Sequence, residues 1–215
     1  MKKLLSILIM LVMTISFMAG CASKLSEDNG TNQEVMVVDK EKKEIRILTE
    51  VNGKYFTEST RHGVVFKDGK NGEKSILRSF VDEKKFYEAM MSLGAKPGNN
   101  LTAEDMKTGT KTIEGSKVNV FVTWDGFGKE IPFADIIKSS DPRPIDIRFG
   151  GNIERANKNN TGCILCLDSC PTGITSNAAY PAGWHDMMKK VTFNANEEVL
   201  PKDGTKVTII FRLAE

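Results

Sequence analysis

The chain has 215 residues, with 30 Lys and Arg against 28 Asp and Glu for a formal charge of +2, and only 7% of it is aromatic. So even a balance gives no basic stripe for a phosphate backbone, and so few scattered aromatics make no stacking platform, which excludes nucleic acid as an expected partner. Four cysteines and two histidines keep the candidates for metal or thiol chemistry few.

The opening segment MKKLLSILIMLVMTISFMAG starts on Lys2 and Lys3, runs apolar from Leu4 to Phe17 and ends in small residues, the pattern of an export signal. Met18-Ala19-Gly20-Cys21 then resembles the lipobox of bacterial lipoproteins, where cleavage before the cysteine frees its thiol for a diacylglyceryl group. Residues 1–20 are therefore expected to be a lipoprotein signal peptide and Cys21 the lipidation site. The product is expected in the cell envelope, lipid-anchored on the extracytoplasmic face of a bacterial membrane. Cleavage removes Lys2 and Lys3, which leaves the mature chain formally neutral. Residues 21–34 are polar and without periodicity, as a flexible tether is. Residues 35–215 suffice for one domain with a sizeable core.

Within that body, β-type runs fall at 35–38, 44–51, 62–66, 74–80, 117–124, 129–133, 144–149, 173–177 and 205–213, punctuated by Asp68-Gly69-Lys70-Asn71-Gly72, Asp125-Gly126 and Asp203-Gly204. In the fifth run Val118, Val120, Val122 and Trp124 share one face, and the Asp125-Gly126 turn predicts a hairpin with the next run. One helix stands out over Asp82–Leu93: Asp82 caps it, Phe86, Ala89, Met90 and Leu93 recur at helical spacing, and Gly94 closes it. The fold class expected is α+β, a β-rich single domain with eight to nine short strands and that one long helix laid across the sheet. Beyond the helix, KPGNNLTAEDMKTGT reads as a long loop with one turn near residues 103–106.

The densest chemistry lies in GCILCLDSCP, where Cys163, Cys166 and Cys170-Pro171 occupy a few residues. Leu93-Gly94-Ala95-Lys96-Pro97-Gly98-Asn99, then Phe149-Gly150-Gly151-Asn152, then Gly162 through Ile174, Ser176-Asn177 and Tyr180 keep order along the chain. In these pieces it resembles the YdjY-domain family of bacterial exported proteins. The resemblance implies an envelope or lipoprotein setting and a ferredoxin-like reading of the cysteines. It marks Gly150, Gly151, Asn152, Gly162, Pro171, Gly173 and Asn177 as supports of the cysteine segment.

Read from the residues, the three cysteines admit several chemistries. A bacterial ferredoxin segment is C-x₂-C-x₂-C-x₃-C-P, and this one is C-x₂-C-x₃-C-P, one cysteine short, so an iron–sulfur cluster needs a fourth ligand from elsewhere. Zinc accepts three cysteines and a histidine, with His185 as the fourth candidate. Were 162–170 helical, offsets of 0, 3 and 7 would set the sulfurs on one stripe, with Cys163 and Cys166 as a redox pair at a helix start. An oxidising compartment favours instead a disulfide between two of the three.

No hydrolase elbow, Walker loop, zinc-protease motif or dinucleotide fingerprint occurs, so no enzyme chemistry has a visible carrier. Asp135, Asp141 and Asp146 are expected to face solvent or cap turns. The function expected is a metal-holding or iron–sulfur electron-transfer module presenting Cys163, Cys166 and Cys170 to an envelope redox partner. The alternative is a non-enzymatic envelope binding or scaffold protein with structural cysteines.

Overall fold

The computed structural model describes residues 34–214; the expected signal peptide, Cys21 and nearly all of the tether lie outside the described residues. In chain order the described residues form β1 (Met36–Asp39), β2 (Glu44–Val51), β3 (His62–Phe66), β4 (Ser75–Ser79), α1 (Glu83–Ser92), α2 (Asp105–Thr108), β5 (Lys117–Thr123), β6 (Ile131–Pro132), β7 (Ile137–Ser139), β8 (Ile147–Phe149), α3 (Ile153–Asn159), β9 (Cys163–Cys166), β10 (Thr175–Asn177), β11 (Phe193–Ala195) and β12 (Lys206–Leu213).

Eight strands close into a barrel in the order β2-β12-β5-β8-β10-β9-β3-β4, with β4 pairing back onto β2. Closure hinges on β2, which has β12 along one edge and shares the other between β1, from Met36↔Ile47 to Asp39↔Glu44, and β4, from Thr49↔Ser79 to Val51↔Leu77. Two neighbouring pairs, β3–β4 and β9–β10, are parallel and the rest of the ring is antiparallel. β6 adds to β5 as the hairpin pattern predicts, and β7 pairs with β11 in a small second sheet.

The barrel interior follows from strand alternation. Cross-strand partners Val51, Leu77, Val64 and Leu165 are all buried, and Ile47, Ile209 and Val122 continue the set across β2, β12 and β5. The opposite faces of the same strands carry Arg46, Glu50, Arg78 and Arg212, tied outside in pairs such as Arg78–Glu50 at 2.7 Å and Arg46–Glu130 at 2.9 Å.

This barrel with three short helices corrects the expected α+β arrangement of one long helix across a sheet. The helix signal itself is local and real: Asp82 accepts the Lys84 N–H at 2.7 Å, Gly94 sits at φ +84°, and Phe86 is buried with its ring 4.6 Å from that of Phe211. Ten residues are only about 15 Å of helix, however, and the sheet does not rely on it for cover because it curls over its own apolar face. Closure depends on partners such as Thr49 and Val207, 158 positions apart. Alternation within each run carries no trace of that.

Candidate metal centre

β9 is buried at every position and lies between β3, antiparallel, and β10, parallel. Leu165 joins the barrel core. Along β3 the register slips on either side of Val64, and such bulges break the two-residue alternation of a strand. Residues three apart thereby share a side: Cys163 and Cys166 gather with Val65 and Cys170 in an apolar cluster separate from the core. The start of the segment, Cys163–Cys166, is therefore extended and pinned by a strand on each edge, so the helical alternative with a stripe of sulfurs does not apply.

After Cys166 the chain leaves the sheet and doubles back until the Ile174 N–H reaches the Cys163 carbonyl at 3.0 Å. Asn152 clamps that return, its Nδ2 donating to the carbonyls of Cys170 at 3.1 Å and Gly173 at 2.8 Å, while Arg155 Nη1 donates to the Pro171 carbonyl at 3.1 Å. A side chain at Gly173 would put Cβ 3.0 Å from Cys166 Sγ and 2.9 Å from the Thr175 carbonyl. Gly151, at φ +85°, lets Asn152 approach, since a Cβ there would meet Pro97 at 2.5 Å. Gly150 packs beside Ile113, Gly162 turns the chain into β9 at φ +79°, and Asn177 Oδ1 accepts the N–H groups of Asp146 at 3.0 Å and Ala179 at 3.1 Å.

Against these sulfurs stands His62, the first residue of β3. Its Nδ1 lies 3.6 Å from Cys163 Sγ, and Asn71 Nδ2 lies 3.6 Å from the same sulfur. One donor atom from each of His62, Cys163 and Cys166 falls within 4.8 Å of the others. Metal–sulfur bonds near 2.3 Å and metal–nitrogen bonds near 2.0 Å set donor separations of roughly 3.5–3.8 Å around a tetrahedral ion, so these three could hold a metal such as zinc after small adjustments. Cys170 lies on the far side of Cys166, its Sγ 3.2 Å from Thr172 Oγ1. All three thiols are free and buried.

Charge is arranged around the sulfurs in a chain. The nearness of Cys163 and Cys170, with burial, raises the Cys166 thiol well above the ordinary value. Cys166 in turn lowers Cys163, helped by His62, and lowers Cys170 to about 6, helped by Arg61. Thiols placed so close together suit a soft cation, which binds the deprotonated form. Arg61 is buried behind the group, with Nη2 2.6 Å from Asp168 Oδ1, Nε 2.8 Å from the same oxygen and Nη1 3.2 Å from Asp186 Oδ2.

His185 belongs to that outer network and not to the sulfur group: its Nδ1 is 2.7 Å from Asp186 Oδ1, its backbone N–H points at Asp168, and its ring stacks on Phe193. The histidine that does adjoin the thiols, His62, is 101 positions from Cys163 and stands in a strand without any local ligand spacing. Only the pairing of β3 with β9 reveals it. Asp141 and Asp146 form ion pairs with Arg143 and Arg148, and they do not gather into a carboxylate site.

The YdjY domain matches residues 36–212 of the chain. The chain is also 40% identical over 210 residues to the protein described as "Uncharacterized protein YdjY" of Escherichia coli (strain K12), covering 95% of this chain and 92% of that one. No solved structure matches.

Proposed function

The chain belongs to the YdjY domain family, and on that footing we propose that it is an extracytoplasmic, lipid-anchored protein that holds a soft metal ion in the three-cysteine segment. The observation that carries this reading is the meeting of His62 with Cys163 and Cys166 within ligand distance. His62, Cys163 and Cys166 would be the ligands, with Cys170 as the adjoining fourth thiol. Burial of all three cysteines suits retention of an ion more than turnover at it, because no solvent-open thiol is left for a substrate. The expected setting at the membrane rests on the signal pattern and on Cys21.

A second reading is an iron–sulfur electron-transfer centre, favoured by the gathering of Cys163, Cys166 and Cys170 in one buried cluster. The two separate on composition. Protein purified without oxygen is expected to carry about one metal ion per chain, and acid-labile sulfide with visible absorption would select the cluster over zinc. Replacing Cys163 or Cys166 by Ser, or His62 by Ala, is expected to lower metal affinity by at least about tenfold, the scale on which even outer contacts act. Colourless, metal-free and well-folded protein that also takes up no zinc or iron in vitro would overturn both and leave packed thiols in a binding or scaffold protein.

A further inference from the structure

A cavity of about 510 Å³ opens between β7, the loop that follows it, and the side chains of Tyr180 and Phe193, with Leu167 in its wall. That volume lies within the range of small-ligand sites. Its walls are mainly apolar, with Ile137, Ile145 and Leu167 beside the edge-to-face pair Tyr180–Phe193, whose ring centroids are 5.0 Å apart. The charged side chains of the wall are Lys138 and Arg143, and it includes no carboxylate.

Asn177 is the telling residue. It is 1% exposed, lines the cavity, and spends its carbonyl oxygen on two backbone N–H groups, which fixes the orientation of the carboxamide. Its Nδ2 then donates to no group among the described residues. That nitrogen keeps a trace of exposure at the cavity wall, so it is free to donate to an acceptor on a ligand there. Arg143 lies over Tyr180 at 5.2 Å and Trp184 at 4.7 Å with Nη1 on the Ala179 carbonyl at 3.1 Å, and its pair with Asp141, like that of Lys138 with Glu198, is half open to water. Ion pairs so exposed are weak, so neither holds its cation away from an incoming anion.

We propose that this cavity binds a small aromatic carboxylate, its ring among Tyr180, Phe193 and Leu167 and its carboxylate accepting from Asn177 Nδ2 beside Arg143. The proposal stands apart from the metal reading, since none of these residues is a candidate ligand.

The test is calorimetric titration of the full chain in lipid nanodiscs with 2-naphthoate, using nanodiscs without protein as the blank. Saturable binding at one site is expected, with methyl 2-naphthoate at least tenfold weaker. Asn177→Asp keeps the oxygen that the two N–H groups need and sets an acceptor where the donor stood, so a loss of tenfold or more is expected with the melting temperature unchanged. Ala134→Trp, on the exposed rim, is expected to block entry whether or not Asn177→Asp folds. Heat equal to the blank, an ester that binds as well as the acid, or wild-type affinity in Ala134→Trp would each overturn the proposal.

Discussion

A guanidinium sealed against a carboxylate is tolerable only while both are present, and Arg61 with Asp168 is such a pair behind the sulfurs. Arg61→Met strands the Asp168 charge and is expected to cost about 3–5 kcal/mol in urea unfolding. The double change Arg61→Met with Asp168→Leu is expected to recover much of that loss. A double variant no better than the single would show that the bonds from Arg61 to the Ser169 carbonyl, at 3.3 Å, and to Asp186, and not the stranded charge, carry the cost. Glu83 gives a second case: its side chain is buried, one oxygen accepts from the Gly162 N–H at 3.3 Å, and Oε2 has no partner among the described residues. Burial raises this carboxyl above its ordinary 4.5, with Asp82 adding repulsion and Lys84 opposing it. A raised value in the folded state means the proton is held more tightly there, so its stabilisation is full below 4.5 and is lost as pH rises through the raised value. Glu83→Gln is therefore expected to gain on the wild type between about pH 4 and pH 7 in thermal melts, and parallel curves would remove Glu83 from the pH response. At this scale the cysteines are plain in the sequence because clustering is local. His62 is hidden there because its nearness to Cys163 is made by strand pairing.

The cysteine segment works as an element because its backbone leaves no room. Gly173→Ala would push Cβ against Cys166 Sγ and the Thr175 carbonyl, and overpacking of this kind costs typically about 1–3 kcal/mol. Gly126→Ala is the matched control: φ is +78° but nothing lies within 4 Å, so only the conformational cost, about 1 kcal/mol, is expected. Metal content should fall in Gly173→Ala and hold in Gly126→Ala, and equal loss in both would detach the metal from the packing around Cys166. Alternation and turn residues make β2, β5 and β12 readable from the amino acids alone. β9 is ambiguous by the same means, because CILCLDSC satisfies a helical spacing as well as an extended one, and the arbiter is the pair of flanking strands. β7 and β11, three residues each, are too short to show a period at all.

The barrel is held by β12, the last strand among the described residues. β12 lies between β2 and β5, pairing Val207↔Thr49 on one edge and Ile209↔Val122 on the other. Amides of β12 and β2 are expected to exchange slowest with deuterium, on the scale of global unfolding, while those of β6 exchange early. Uniform exchange across the barrel strands and β6 would contradict this order. The fold class escapes the sequence at this scale: each run is visible, but whether a sheet ends in two edges or meets itself is decided by residues far apart in the chain. The same placement of β12 sets a timing. A polypeptide that emerges N-terminus first has already delivered Cys163, Cys166 and Cys170 to its surroundings before the strand from Lys206 to Leu213 exists to complete the ring. During that interval the nascent thiols answer to whatever oxidant or ion is at hand, and the finished barrel then preserves the outcome.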